Sequence, residues 1–345
     1  MDKSKTKAIG MVSGGLDSAV AVGLIKAQGI EVVGVHYLNG FSADYLRAEV
    51  KGLDVSRLIQ KRKEVLSEYF GVEVLVFDVA EEFLDVLLKP MHGYGSNANP
   101  CLDCRIFLLR KAKGIMEQLG ASFVFTGEVL GQRPMSQHRK ALDIVEKESG
   151  LDGLLIRPLC ARLLPPTEME KKGIVNREDL LDIQGRSRRR QMELVSKLGY
   201  DDFIQPAGGC VLTDENYGRR FFDFISNDGK EEFTRSHAVL LFVGRHFRLP
   251  NGARLIVGRN KLENEYIERE WSSAIQLTTD DVPGPTTLLM GEPDDEAIEL
   301  SARITARYSD GKYNSIVRVS VKKVGQVQLL EVPPEYDEVI SNLRI

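Results

Sequence analysis

Short apolar runs alternate with longer mixed stretches over the first two hundred residues, and a small-residue turn follows each run. Lys7–Val12 reads as a first strand and Ser18–Gln28 as a helix closed by Gly29. Ile30–His36, rich in β-branched residues and bounded by Asn39-Gly40, reads as a second strand. A polar stretch around Val55–Phe70 predicts a helix, Val72–Phe77 a strand and Ala80–Leu88 a helix. Ile106–Leu119 predicts an amphipathic helix ending at Gly120, and Ser122–Thr126 another strand. Strands alternating with helices predict an α/β fold, a doubly wound parallel sheet covered on both faces. The pattern changes near Gly208-Gly209. Beyond Tyr217, strand candidates at Ala238–Val243, Ala253–Val257, Thr286–Met290 and Ile316–Val321 surround one clear helix, Asp295–Tyr308. That predicts a second, smaller α+β domain, with residues 1–215 in the first domain and 225–345 in the second.

The first strand runs directly into Ser13-Gly14-Gly15-Leu16-Asp17-Ser18, which opens a helix. Glycines let the backbone approach a ligand closely, and the first free N–H groups of the helix favour an anion. Ser13 and Ser18 can donate hydroxyl hydrogen bonds to phosphates. Asp17 would repel them unless a Mg²⁺ sits between. The loop lacks the lysine of a Walker A motif, which argues against simple γ-phosphate hydrolysis.

Charge and cysteines narrow the class. The net charge of −4 argues against a generic nucleic-acid coat, but residues 101–213 carry 18 basic against 15 acidic side chains. That segment contains Gly185-Arg186-Ser187-Arg188-Arg189-Arg190, either a phosphate-neutralising cluster or a solvated helix start. No apolar run is long enough to cross a bilayer, and the run at Ala8–Val12 is too short for a signal sequence, so a cytoplasmic protein without membrane contact is expected. Four cysteines, Cys101, Cys104, Cys160 and Cys210, in such a protein point to metal, cluster or redox chemistry rather than a disulfide framework.

SGGLDS between first strand and first helix resembles the PP-loop ATP pyrophosphatases, which share the adenine nucleotide alpha hydrolase-like fold. The resemblance implies cleavage of ATP between its α and β phosphates and an adenylated substrate. Ser13, Gly14, Gly15, Asp17 and Ser18 would then hold pyrophosphate and Mg²⁺, Asp17 would be catalytic, and Val35 and His36 would lie against the adenine. Asn99-Pro100-Cys101-Leu102-Asp103-Cys104 resembles the NPxxxC motif of tRNA 2-thiouridylases. Thr126-Gly127-Glu128-Val129-Leu130-Gly131-Gln132, with Ser136-Gln137 following, is similar to a stretch of 4-thiouridine synthases of the ThiI type. Arg157-Pro158-Leu159, Gly185-Arg186-Ser187 and Pro206-Ala207-Gly208-Gly209-Cys210 extend the likeness over roughly residues 7–214. Gly127 and Gln132 would border the nucleotide.

The implied reaction is ATP-dependent tRNA thiolation, with the 4-position of uridine 8 as the expected target. Replacing a uracil carbonyl oxygen needs adenylation for a leaving group and a sulfur nucleophile. Two designs are open for the sulfur. Cys101, Cys104 and Cys210 could hold a 4Fe–4S cluster with a free iron for sulfide, the expected design. Alternatively Cys104 or Cys210 carries a persulfide and the other resolves it as a disulfide. Cys160 is spare in both, a half-buried structural thiol. Expected partners are tRNA and a sulfur donor, either sulfide or a persulfide-carrying cysteine desulfurase; a homodimer is compatible.

Typical ThiI proteins carry an N-terminal RNA-binding module, whereas this chain begins at the catalytic strand, so RNA capture is expected elsewhere. Arg245–Glu265, with Asp281-Val282-Pro283-Gly284-Pro285 later, resembles the NFACT-R type of RNA-binding domain. Arg245, Arg248, Arg254, Arg259 and Lys261 would meet phosphates, and Asn260 and Asn264 would act as polar readers. The alternatives are a 2-thiouridylase, adenylation followed by amine transfer, and a non-catalytic RNA-binding adaptor.

Overall fold

The computed structural model describes residues 6–200, 209–323 and 325–345. The chain forms two units: Met1–Ser42 with Val55–Cys210, and Ala43–Asp54 with Val211–Ile345. Nothing in the apolar pattern of Ala43–Asp54 marks it for the second unit. Its helix α2 (Ala43–Val50) buries Leu46 and Val50 in a cluster with Val239, Leu240, Tyr266 and Ile267.

The first unit is built on β1 (Lys7–Met11), β2 (Glu31–Leu38), β3 (Val74–Asp78), β4 (Phe123–Thr126) and β5 (Leu155–Ile156). They pair in parallel in the order β3-β2-β1-β4-β5. Strand side chains alternate between faces. Ala8, Val32, Phe123 and Phe125 join α1 (Leu16–Ala27), α3 (Val55–Phe70) and α8 (Arg189–Lys197) in one core, while Ile9, Val33, Val35 and Val124 pack on α5 (Cys101–Gln118) and α6 (Arg139–Glu148) in the other. The unit also contains α4 (Ala80–Leu88) and the short α7 (Glu168–Lys171). The doubly wound parallel sheet expected from the alternating pattern is present.

α5 begins five residues earlier than the periodicity from Ile106 suggested. The reason is local: Asp103, in its first turn, accepts hydrogen bonds from the Met91 and His92 amides, both at 3.0 Å, and ties the incoming loop to the helix start. Cys101 and Cys104 therefore sit on a helix, one turn apart.

The second unit holds β6 (Arg245–Arg248), β7 (Arg254–Val257), β8 (Ile275–Thr279), β9 (Thr287–Met290), β10 (Val317–Lys323) and β11 (Gln326–Val332). These strands pair antiparallel in the order β11-β10-β8-β9-β7-β6. Helices are α9 (Glu215–Asn227), α10 (Arg235–Leu240), α11 (Lys261–Glu270), α12 (Asp295–Arg307) and α13 (Asp337–Leu343). Leu255, Val257 and Leu289 face the core around α12, whereas Ile256 and Leu288 face α10 and α11. The strand expected at Ala238–Val243 is instead the end of α10 and a turn. There Thr234 N–H donates to His237 Nδ1 at 3.2 Å, and this cap starts a helix that prevails over the strand propensity of the β-branched and aromatic residues. Among the described residues no helix is long and apolar enough to cross a membrane.

Candidate active site

In the first sheet β1 has β2 on one side and β4 on the other, so the connections diverge at the β1–β4 boundary and leave a crevice at the carboxyl ends. The chain leaving β1 bends at Gly14, whose φ of +78° lies in the left-handed region where a side chain costs about 1–2 kcal/mol. Gly15 caps α1 without any side-chain bond, so the first amides of the helix keep their donors. Ser18 Oγ donates to the Gly15 carbonyl at 2.7 Å, and the Ser13 and Ser18 hydroxyls are 3.4 Å apart. Two hydroxyls, free amides and the positive end of a helix thus meet on one loop.

The segment after β4 closes over this loop. A Cβ on Gly127 would fall 2.6 to 2.8 Å from the carbonyl of Asp17 and the nitrogen of Ser18, so main chain lies directly on main chain. Gln132 Nε2 donates to Asp17 Oδ2 at 2.9 Å, and Gln191 Nε2, from α8, reaches Oδ1 at 3.4 Å. Asp17 is therefore held by two amides and keeps lone pairs for a cation. One carboxylate together with substrate phosphates is a usual Mg²⁺ arrangement, so the residues fit that ion.

A cavity of about 220 Å³ adjoins the loop, bordered by Ser13, Asp17, His36, Tyr37, Arg105 and Arg133. Val35 also borders it, but its side chain is fully buried in the core. His36 Nδ1 lies 2.8 Å from the Val12 carbonyl, so Nδ1 carries the hydrogen and Nε2 of a neutral ring is an acceptor. Tyr37 stacks on Phe77 at 5.7 Å, and its buried hydroxyl has no hydrogen-bond partner among the described residues. Burial raises the phenol above its ordinary pKa, so it stays a donor.

One wall of the cavity is an ionic relay that composition and periodicity did not reveal. Glu128 pairs with Arg105 and Arg157, both at 3.1 Å, and Arg157 also reaches Glu146 at 2.8 Å. Burial alone would raise the Glu128 carboxyl, but the two guanidiniums outweigh it and hold the group ionised. For Arg157, burial opposes the charge and Glu128 with Glu146 restores it. The sequence signal was present in TGE and RPL, though neither motif carries a role on its face.

The cysteines do not meet as a ligand set. Cys101 Sγ accepts from Asn99 Nδ2 at 3.1 Å, and Asn39 Nδ2 lies 4.0 Å from Cys104 Sγ. Burial pushes the Cys104 thiol up to about 11, against the opposing charge of Arg105. Cys210 forms an antiparallel bridge with Ser42, while Pro206-Ala207-Gly208 lies outside the described residues. Among the described residues no three His, Cys, Asp or Glu side chains are placed to hold a metal ion. Among the described residues the expected 4Fe–4S set of Cys101, Cys104 and Cys210 is thus not seen as a ligand group: an asparagine amide faces each of the first two thiols, and the Cys210 backbone bridges to Ser42. Cys160 is fully buried rather than half-buried, its thiol donating to the Glu128 carbonyl at 3.4 Å.

The arginine run resolves as a helix start. Arg189 pairs with Glu193 and Arg190 with Asp182 around the first turn of α8. In the second unit, Arg254 is fully buried, with its guanidinium bonded to Asp223 and Asp228 and lying over Phe224 at 5.2 Å. Arg248 bonds the same two carboxylates. Neither offers the phosphate contact expected of it, because two aspartates from α9 and its end consume both charges.

A parallel α/β sheet whose switch point carries a glycine-bent, lysine-free phosphate cradle defines the PP-loop class of nucleotide-binding domain. The chain belongs to the ThiI family: residues 3–181, just over half of its 345, match the model described as "Thiamine biosynthesis protein (ThiI)". Residues 244–344 match the NFACT protein RNA binding domain. Among curated relatives, the tRNA-specific 2-thiouridylase MnmA of Methylobacterium radiotolerans is 30% identical over 40% of this chain and 36% of its own length. That of Acidothermus cellulolyticus is 24% identical over 87% of this chain and 84% of its own. A "Probable tRNA sulfurtransferase" of Thermococcus kodakarensis is 28% identical over 44% and 36%. The chain thus spans about a third of the length of two of these three. A solved 4-thiouridine synthetase–RNA complex with bound ATP shares 20% identity over 61% of this chain and 46% of its own, at a TM-score of 0.39.

Proposed function

We propose that the protein adenylates a uridine of tRNA with ATP and replaces the activated oxygen with sulfur. The observation that carries this reading is the closure of Gly127 and Gln132 over the Asp17–Ser18 turn, which gives ATP a phosphate cradle with no lysine to assist at the γ-phosphate. ATP lies with its β and γ phosphates on the Ser13–Ser18 loop, and Asp17 would hold a Mg²⁺ ion, which would supply positive charge to them. The uracil carbonyl oxygen attacks the α-phosphorus, the bond to the β-phosphate breaks, and pyrophosphate departs. Arg105 and Arg133 border the cavity and supply positive charge where the phosphoryl oxygens gather it.

Sulfur delivery follows the cysteine persulfide design. Cys104, through Asn39, and Cys210, through Ser42, both adjoin the 39–42 segment after β2. The terminal sulfur of a persulfide on one of them attacks the adenylated carbon, and AMP leaves with the C–O electron pair. The other cysteine, as thiolate, attacks the enzyme-side sulfur. A Cys104–Cys210 disulfide forms, the S–S bond to the base breaks with its electron pair left on the base's sulfur, which becomes the thiocarbonyl, and an external thiol reductant restores the pair.

One experiment tests both halves: turnover of tRNA with ATP and a persulfide donor, in anaerobically prepared protein with its iron measured. The expected products are AMP and pyrophosphate, at iron well below one equivalent, with Cys104→Ala and Cys210→Ala inactive and Cys160→Ala active. ADP as the main product overturns the adenylation. Stoichiometric iron with visible absorption, lost in Cys210→Ala, replaces the persulfide with the cluster.

A further inference from the structure

The second unit contains a cleft of about 620 Å³ between the start of β6, the first turn of α11 and the turn around Pro283-Gly284-Pro285. That volume suits a nucleotide-sized ligand. Arg245 stands out in it. Its Cζ lies 4.8 Å from the Tyr308 ring centroid, and among the described residues it has no acidic partner. Arg248 and Arg254, on the same two strands, are each bonded to two aspartates. A guanidinium stacked on a tyrosine, with its charge unspent, is a flat cationic platform.

The opposite wall is built for close approach. A Cβ on Gly258 would fall 2.1 Å from Asn264 Oδ1, which is buried with no hydrogen-bond partner among the described residues. The charges lining the cleft balance: Arg245, Arg259 and Lys261 against Glu265, Glu268 and Asp310. Arg259 is already paired with Glu263 at 2.6 Å, and Glu268 accepts from Thr286 Oγ1 at 2.6 Å. A phosphate trap would be net positive. A balanced cleft with a stacking platform and an amide suits a neutral base and its ribose, with Lys261, 90% exposed and only loosely paired with Glu265 at 3.7 Å, meeting the flanking phosphate at the rim.

We propose that this cleft binds one unpaired nucleotide of RNA, its base laid on the Arg245–Tyr308 pair. The proposal rests on the reading of this unit as RNA-binding and assigns the place and the strandedness. The test uses the full chain, a labelled single-stranded oligouridylate and a duplex RNA of equal length. Arg245→Met and Tyr308→Leu should each raise the Kd for the single strand roughly ten-fold, as expected for loss of one stacked base. The salt slope for Tyr308→Leu and the Kd for the duplex should not change. Lys261→Gln should lower the single-strand salt slope by about 0.7 with little loss at low salt. Arg245→Lys, which keeps the charge and loses the plane, should fall between wild type and Arg245→Met and controls for folding, together with an unchanged affinity for ATP. If the wild type binds the single strand and the stacking variants bind it equally well, the cleft is wrong and RNA binding stands. If the wild type binds neither RNA, both are wrong.

Discussion

Asp17 shows how one residue type takes its meaning from its neighbours. Alone, a carboxylate in a phosphate loop is a liability; with Gln132 and Gln191 on its two oxygens it is fixed in one orientation, as a cation ligand would have to be. That orientation depends on Gly127, where the segment after β4 touches the main chain of Asp17 and Ser18. Gly127→Ala places a methyl inside contact distance of the Asp17 and Ser18 backbone atoms. Main chain cannot rotate away as a flexible side chain would, so the loop must shift. The expected result is loss of ATP affinity by at least about ten-fold, with a destabilisation of about 1–3 kcal/mol, read by calorimetric titration beside urea unfolding. Wild-type affinity in this variant would move the nucleotide away from the loop.

At the scale of elements, the parallel sheet was legible because its strands are short β-branched runs bounded by glycine turns, and burial on both faces leaves little ambiguity. The second unit was less so. β7, β9, β10 and α12 were visible as period-two or period-four patterns, but α11 is polar over much of its surface, and α9, whose stripe is Tyr217, Phe221 and Phe224, was not singled out. The reading of Ala238–Val243 as a strand failed because an apolar run of six suits a buried helix end equally well. The site divided in the same way. The phosphate loop was readable because its residues are contiguous, whereas the Arg105–Glu128–Arg157–Glu146 relay joins residues far apart in sequence and needed the fold. Arg254 marks the opposite error, a basic residue read as a surface contact. Its expected role is structural: Arg254→Met should cost about 3–5 kcal/mol at pH 7 by leaving Asp223 and Asp228 short of a partner. Burial would raise the Asp228 carboxyl, but Arg248 and Arg254 hold it below its ordinary range. A depressed carboxylate stabilises the fold fully above its unfolded pKa of about 3.9 and loses that contribution as pH falls through the folded value. The gap between wild type and variant should therefore narrow below about pH 4, in urea unfolding at pH 7 and pH 3.5. A constant gap would assign the loss to packing over Phe224 rather than to charge.

For the molecule as a whole, the open choice is which carbonyl receives sulfur. Relatives named for 2-thiouridine and the family match to ThiI pull apart, and the cysteines do not decide, since holding sulfur is common to both products. The TGEVLGQ stretch proves less informative about substrate than its place after β4 suggested. Gly127 and Gln132 are spent on the phosphate loop, so their likeness to 4-thiouridine enzymes describes the ATP site first. What bears on the base is the rest of that segment: Arg133 at the cavity, and Glu128, which sets Arg105 beside it. These present fixed charge, suited to a backbone-held uridine in the tRNA body, and few side chains for reading several unpaired anticodon bases. The expected product is therefore 4-thiouridine, at uridine 8. Mass spectrometry of tRNA nucleosides from a deletion strain should show loss of 4-thiouridine with 2-thiouridine derivatives retained, and restoration by the wild-type chain but not by Asp17→Asn. Loss of the 2-thiouridine derivatives with 4-thiouridine intact would reverse the assignment. It would also show that the charged wall admits an anticodon base, so that specificity must come from how the RNA is held rather than from the cavity beside the phosphate loop.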